Sequence, residues 1–132
     1  MDLQAQWIVG FIDGQGHFCI LTKQKDASIN EFEILLEFKV VEHERNVQVL
    51  HALKSYFKCG VVSKNPDNKM TYRVQNIEHL TKMIIPFFEK HSLKTKRGIE
   101  FRKFRKILLK VKKNEPISLK EIESFSNLKC SL

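Results

Sequence analysis

The sequence is poor in the features that mark disulfide-stabilised, zinc-binding or membrane-spanning proteins. It has three cysteines and no closely spaced cysteine pair, so we predict reduced thiols rather than a disulfide framework or a zinc site. No run of about 18 apolar residues is present, which predicts no membrane span. The first residues lack the basic stretch and apolar core of a signal peptide, so we expect the protein to act where it is made.

Acidic residues are also under-represented. The 132 residues include 23 Lys and Arg against 15 Asp and Glu, which gives a net charge of +8. This excess favours a polyanionic partner, either a nucleic acid or an anionic membrane surface. The membrane surface is disfavoured because the basic helices have ordinary apolar core faces and no interfacial tryptophan. The length suits a single domain over residues 1–132.

The first half of the chain is predicted to be a helix followed by a long hairpin. Residues 3–14 form a helix that is apolar on most of its surface and is ended by Gly14 and Gly16. Such a short helix must be buried on several sides, one of them against a partner subunit. Residues 17–25 and 32–41 alternate between two faces, which predicts an antiparallel hairpin with one buried face. The face predicted to be buried carries Phe18, Ile20 and Thr22 on the first strand and Phe32, Ile34, Leu36, Phe38 and Val40 on the second.

The second half repeats the combination of helix and hairpin. Its predicted elements are a helix at 44–57, strands at 61–65 and 70–75, a helix at 77–90 kinked or ended at Pro86, a basic helix at 95–113, and a short helix at 118–127 capped by Ser118 and Glu121. This order predicts an α+β fold in which helices pack on one face of a single curved antiparallel sheet.

The other face of that sheet, called here the outer face, is predicted to be long, polar and basic. A twisted basic ribbon can enter the major groove of DNA, although a merely solvated face has the same composition. We expect DNA contacts from His17, Cys19, Leu21, Lys23 and Lys25 on the first strand, from Glu33, Leu35, Glu37 and Lys39 on the second, and from Ser63, Asn65, Thr71, Arg73 and Gln75 on the second hairpin.

One segment is distinctive. Residues 8–16 read Ile-Val-Gly-Phe-Ile-Asp-Gly-Gln-Gly, between Trp7 and His17-Phe18. The segment resembles the LAGLIDADG signature of homing endonucleases and stands where that family has it, at the end of a buried helix entering a strand. Residues 92–97 (Ser-Leu-Lys-Thr-Lys-Arg) resemble a later stretch of the same family. The family's αββαββα order covers nearly the whole chain.

The resemblance implies a homodimer, because only one motif is present and the family packs two motif helices across the centre of the molecule. Gly10 and Gly14, one helical turn apart, would permit that close approach. The implied partner is a long, pseudo-palindromic double-stranded DNA, cut with a divalent metal such as Mg²⁺ or Mn²⁺, while Ca²⁺ occupies the site without turnover. The implied dimer interface contains Trp7, Gly10, Phe11, Asp13 and Gly14.

Gln15 departs from the family, in which this position is an acid that binds the metal. A carboxamide keeps the shape and one oxygen but loses the charge, so we predict weak metal binding at Gln15 and the Gly14 carbonyl, and little or no cleavage. Replacement of a parent glutamate by design is favoured, because the rest of the motif is intact, but natural loss of cleavage also fits. The resemblance implies a structural role for Asp13.

The remaining site residues also follow from the resemblance. Lys94, with Lys96 as the alternative, matches the basic residue near the scissile phosphate, and Lys96 is also expected to contact DNA. Glu42 and Asn46 match polar residues that organise active-site water, although some relatives have a basic residue in place of Asn46.

An RNA maturase and a DNA-binding regulator that never cuts are alternative functions of the same fold. Residue usage typical of AT-rich genomes points to an organelle, with the bacterial cytoplasm as the alternative.

Overall fold

The computed structural model describes residues 2–24, 32–115, 117 and 120, without the side chains at 22–24, 32 and 33. Lys25 and the helix predicted at 118–127, apart from Lys120, therefore lie outside the described residues, as do the side chains of Lys23 and Glu33. In the described part of the chain, no helix is both long and apolar enough to cross a membrane.

The secondary structure follows the predicted alternation of helices and hairpins. The elements are α1 (Ala5–Gln15), β1 (Gly16–Gln24), β2 (Phe32–His43), α2 (Val47–Phe57), β3 (Val61–Lys64), β4 (Lys69–Val74), α3 (Ile77–His79), α4 (Ile85–Lys90) and α5 (Lys96–Lys112). A 3₁₀ turn at Glu44–Asn46 precedes α2, and a π-helical turn at Leu80–Ile84 joins α3 to α4. The α+β class and the αββαββα order are confirmed.

The four strands form one antiparallel sheet in the order β1-β2-β4-β3. β2 is the long central strand, which pairs with β1 from Phe32 to Val40 and with β4 from Phe38 to His43. Strand residues that alternate along this register point to opposite faces. The sheet therefore separates a core face, covered by helices, from the outer face.

The core is built around aromatic rings at the centre of the sheet. Phe18 of β1 lies 5.2 to 5.7 Å, between ring centroids, from Phe38 of β2, Phe88 of α4, and Phe101 and Phe104 of α5. Edge and tilted ring pairs add about 0.5–1.5 kcal/mol each beyond burial of their area. Ile8, Ile12, Leu50, Leu53, Ile107 and Leu108 are fully buried around them. The apolar positions predicted to face inward thus meet in one core.

The predicted helix breaks are confirmed in part, because α1 ends at Gly16 but not at Gly14, and the helical segment is distorted before Pro86 but does not end there. α1 continues through Gly14 and ends only at Gly16, because a single glycine lowers helix stability without preventing helical geometry. Pro86 does not end the helical segment either. Proline cannot donate a backbone hydrogen bond to the preceding turn, and the backbone widens into the π-helical turn just before it.

The link between α2 and β3 requires a glycine. Gly60 has φ +93°, and a Cβ at this position would lie 2.5 Å from Tyr72 Cε1 and 2.8 Å from the Arg73 carbonyl oxygen. The Tyr72 hydroxyl, fully buried, donates a hydrogen bond of 2.8 Å to the Cys59 carbonyl oxygen. This bond ties the end of α2 to the middle of β4.

We expect Gly60→Ala to destabilise the fold by about 2–4 kcal/mol, because it combines a left-handed backbone with crowding against β4. Asn68→Ala is the matched control, since Asn68 also has positive φ (61°) but lies in an exposed turn. Its expected cost is about 1 kcal/mol. Urea unfolding of both variants measures the difference, and equal costs would show that crowding at Gly60 is unimportant.

Candidate nucleic-acid interface

The end of α1 presents Gly14 and Gln15 at the surface. Both residues are exposed, and the chain turns directly from Gln15 into β1 at Gly16. A Cβ on Gly16 would lie 2.6 Å from Ile12 Cγ2, so only glycine permits this abrupt change from helix to strand. The turn holds the Gln15 side chain at the tip of the helix rather than within the core.

Asp13 joins this tip to the start of α5. Its carboxylate accepts hydrogen bonds from the backbone N–H groups of Lys94 (2.9 and 3.0 Å) and Thr95 (3.0 Å) and from the Thr95 hydroxyl (2.9 Å). Burial raises the pKa of Asp13, but the hydrogen bonds and the Lys94 charge outweigh it, and the pKa is lowered overall. Asp13 thus holds two distant parts of its own chain together, consistent with a structural role.

The same bonds bring Lys94 beside the end of α1. Its backbone is held by Asp13, two positions before Gln15, while its side chain is exposed. Thr95 then caps α5 by accepting from the Arg97 N–H at 3.2 Å. Sequence analysis did not assign Thr95 a role, although a threonine directly before a helix is a recognised capping signal. Lys96 is exposed in the first turn of α5.

Glu42 lies near the end of β2 and Asn46 in the 3₁₀ turn that follows, and both come after Val40, the residue paired with the start of β1. Gly16 pairs with Val40, so the last residues of β2 extend past the end of α1. The Asn46 amide donates to Glu42 Oε1 at 3.2 Å, and the His43 backbone N–H donates to the same oxygen at 2.9 Å. The two predicted residues are therefore brought together. Among the described residues, no hydrogen bond joins Gln15 to Lys94 or Glu42.

The outer face forms a concave depression of about 700 Å³. Seven of the residues predicted to contact DNA line it: Leu21, Leu35, Glu37, Lys39, Ser63, Arg73 and Gln75. His17 and Asn65 are half-buried on the same face, outside the lining of this depression.

Three residues predicted to be open on this face are buried instead. Cys19 and Thr71 are fully buried and Glu37 is 3% exposed, so the expectation that they face solvent is wrong. Cys19 is also disulfide-bonded, which corrects the prediction of a reduced thiol there. Cys59 does carry a free, buried thiol. Alternation along a strand predicts the face of a side chain, but not what covers it.

The buried Glu37 forms an ion pair that sequence analysis missed. Arg73 Nε lies 2.7 Å from Glu37 Oε1, and the Gln75 amide donates to the same oxygen at 3.2 Å. Because Phe38 pairs with Val74, Glu37 and Arg73 are diagonal neighbours on adjacent strands. Opposite charges at diagonal positions could have indicated the pair once the register was known.

The electrostatic field at the start of β1 is positive. Partial burial lowers the pKa of His17, and the charges of Arg97 and Lys39 lower it further, against a smaller opposing effect of Glu100. The lowered pKa of His17 disfavours its protonated form. Such a field attracts an anion.

α1 has a second, uncovered face. Ile8, Val9 and Ile12 are buried in the core, whereas Trp7 is 45% exposed and stacks on Phe11 with ring centroids 5.1 Å apart. A Cβ on Gly10 or Gly14 would meet no atom within 4 Å in this chain. The surface formed by Trp7, Gly10, Phe11 and Gly14 is called here the glycine face of α1.

The donors at the tip of α1 fit a divalent metal poorly. One chain offers the Gln15 carboxamide and the Gly14 carbonyl, both neutral, where Mg²⁺ prefers carboxylate oxygens. Within the described residues, no group of three or more His, Cys, Asp or Glu side chains could hold a metal ion.

The sequence matches a family model. The model described as LAGLIDADG endonuclease covers residues 8–108. The chain is 32% identical over 125 residues to the probable intron-encoded endonuclease Cox1-I1b of Schizosaccharomyces pombe, covering 94% of this chain and 31% of that protein. It is 35% identical over 114 residues to the intron-encoded RNA maturase bI4 of Saccharomyces cerevisiae, covering 86% of this chain and 16% of that protein. The chain thus spans less than a third of the length of either relative.

Solved structures agree with the family model. The chain superposes on the homing endonuclease I-TnaI with a TM-score of 0.84 and 38% identity, covering 97% of this chain and 86% of that one. It also superposes on I-SmaMI bound to an uncleaved DNA target in the presence of calcium ions, with a TM-score of 0.83 and 25% identity, covering 96% and 43%.

We expect Asp13→Asn to destabilise the fold by about 1–2 kcal/mol at neutral pH, because a charged acceptor of several hydrogen bonds becomes a neutral one. The lowered pKa of Asp13 in the folded state means that the carboxylate stabilises the fold above its ordinary pKa of 3.8, and that this contribution is lost as pH falls through the folded pKa.

The measurement is urea unfolding of both proteins between neutral and acidic pH. The difference in unfolding free energy should shrink below about pH 4. Asp67→Asn, in the exposed turn between β3 and β4, is the control and should leave stability unchanged. A constant difference for Asp13→Asn across the range would contradict the stabilising role of the charge.

Proposed function

Because the chain belongs to the LAGLIDADG endonuclease family, we propose that it is a site-specific DNA-binding protein of the homing endonuclease type that acts as a homodimer. We further propose that its cleavage activity is impaired at Gln15. The observation that carries this function is the arrangement of the exposed Gly14–Gln15 tip beside Lys94, at one end of a concave basic face.

Duplex DNA is the partner that best suits the outer face. The net charge is +8, and Lys39 and Arg73 line a depression of about 700 Å³. Lysine and arginine supply the contacts to phosphates that dominate affinity, and polar side chains supply the contacts to base edges that specify sequence. I-SmaMI, with the same fold, is described as bound to an uncleaved DNA target, which supports the same use of the fold here.

The glycine face of α1 supports a homodimer. Two copies of this helix could approach closely at Gly10 and Gly14, because neither position carries a side chain. Such a contact would also cover Trp7 and Phe11, which one chain leaves partly exposed. A twofold axis there would place the two Gln15 tips side by side, with one outer face on each half of a pseudo-palindromic duplex.

Impaired cleavage follows from the neutral donors at the tip. In this proposal, an acid at position 15 of each subunit would supply the charge that a divalent metal such as Mg²⁺ or Mn²⁺ requires. Lys94 is placed to contact a phosphate near that tip, and Glu42 with Asn46 to order water. DNA binding uses the outer face and does not depend on Gln15.

An RNA maturase is the second candidate function. It is favoured by the 35% identity to the yeast RNA maturase and by the basic exposed side chains of α5, among them Arg102 and Lys106. Binding of intron RNA and of duplex DNA, compared at several salt concentrations, separates the two. Sequence-selective binding of RNA alone would replace the DNA proposal.

The homodimer is tested by Gly10→Leu. A leucine here meets open space within one chain and favours the helix, so the monomer should stay folded while the two helices are pushed apart. Analytical ultracentrifugation should show a dimer for the unchanged protein and a monomer for the variant. Ser55→Leu, on the exposed surface of α2, is the control and should leave the dimer intact. A Gly10→Leu dimer of unchanged stability would place the interface elsewhere.

Impaired cleavage is tested by Gln15→Glu. Target sites are first selected by binding from a randomised duplex library and then cloned into a plasmid. With Mg²⁺, the unchanged protein should leave the plasmid intact, whereas the glutamate variant should linearise it, because each subunit regains a charged metal ligand. Equal cutting by both proteins would show that the acid is dispensable. Tight binding without cutting by either would favour a regulator that never cuts.

A further inference from the structure

Glu37 is an acid buried within a face that is otherwise suited to bind an anion. It is 3% exposed and pairs with Arg73 through a short contact, 2.7 Å between Glu37 Oε1 and Arg73 Nε. A carboxylate near DNA phosphates lowers affinity through repulsion. The repulsion between Glu37 and a bound phosphate must therefore be offset by another effect of this side chain. Its contact with Arg73 indicates that the effect concerns the arginine.

The ion pair occupies only one side of the guanidinium group. Nε lies 2.7 Å from Glu37 Oε1, and Nη1 makes a long contact of 3.4 Å with Ser63 Oγ. Among the described residues, no hydrogen bond uses Nη2. The Arg73 side chain is 39% exposed and lines the concave depression. The terminal N–H groups are thus available to a ligand seated on the outer face.

Two terminal N–H groups held in one plane match one base in particular. Guanine presents its N7 and O6 acceptors together in the major groove, and a bidentate arginine is the most frequent specific contact to it. A free arginine must first be fixed about several rotatable bonds, whereas one anchored through Nε is already oriented. The Gln75 amide, 3.2 Å from the same Glu37 oxygen, holds the carboxylate in turn.

We propose that Glu37 is a positioning residue that holds Arg73 ready for a bidentate contact with a single guanine in each half-site. The inference rests on the proposed DNA-binding function and assigns base discrimination at one position to the Glu37–Arg73 pair rather than to Arg73 alone. A purely structural ion pair would instead alter binding to all sequences alike.

The test compares base preference across four variants of the full chain. A pool of randomised DNA duplexes is selected by each protein and sequenced, and binding of the selected duplex is then measured with each of the four base pairs at every position. The variants are Arg73→Ala, Glu37→Ala, Glu37→Gln, and Glu89→Ala as the control. Glu89 pairs with Arg105 at 3.3 Å on the helical side, so its removal changes charge but not the outer face.

Arg73→Ala should identify the position it reads, by a loss of preference for guanine there of roughly tenfold or more. Glu37→Ala should lose preference at that same position, although Arg73 is still present, while its affinity for unrelated duplexes stays equal or rises. Glu37→Gln keeps an acceptor for Nε and should retain part of the preference. Glu89→Ala should keep all of it.

Full guanine preference in both Glu37 variants would overturn the inference and leave the DNA-binding proposal intact. Uniform loss of binding to all duplexes in folded Glu37→Gln would do the same, by showing a structural role alone. If the unchanged protein selects no duplex sequence at all, the proposed function fails together with the inference. Thermal unfolding of each variant confirms that it is folded. If Glu37→Ala does not fold, the base preference of Glu37→Gln alone tests the inference.

Discussion

The carboxylate of Asp13 is the interaction on which the site depends. It stands at the end of α1 and accepts hydrogen bonds from the backbone that leads into α5, more than eighty positions later in the chain. Without it, the end of α1 and the start of α5 would be joined by packing and by one hydrogen bond of 3.3 Å from the Thr95 hydroxyl to the Asp13 backbone carbonyl oxygen. The Asp13 carboxylate thus holds the end of α1 next to the start of α5, so that the two ends form one surface.

Much of the fold was predictable because two periodicities in the sequence are strong. Phe18, Ile20, Leu36 and Phe38 occupy alternate positions of their strands and are buried as predicted. Leu50, Leu53, Phe101 and Phe104 follow helical spacing and meet them in the core. The boundaries were less predictable, since Gly14 and Gly16 look alike in sequence. Only the contact of Gly16 with Ile12 in the folded chain distinguishes the glycine that ends α1.

The candidate site was predictable where a residue's role depends on its neighbours in sequence. The LAGLIDADG motif at residues 8–16 belongs to this class, and family membership is confirmed. The position of Lys94, whose backbone N–H donates to Asp13 81 positions earlier, was expected from the family resemblance and not from its neighbours in sequence. Residues whose environment comes from other strands were not predicted. Cys19, Glu37 and Thr71 lie on the expected face yet are buried, and the ion pair of Glu37 required the register between β2 and β4.

The alternation along β2 has a consequence for how such a protein can change over generations. Phe38 is fully buried while its neighbour Lys39 lines the depression on the outer face, so a mutation of Lys39 need not change the packing around Phe38. Ligand preference can therefore drift through side chains like Lys39 with little effect on folding. Glu37 and Thr71 do not have this independence, because both are buried although they lie on the outer face. Evolutionary change there must satisfy packing and recognition together, and is expected to be slower.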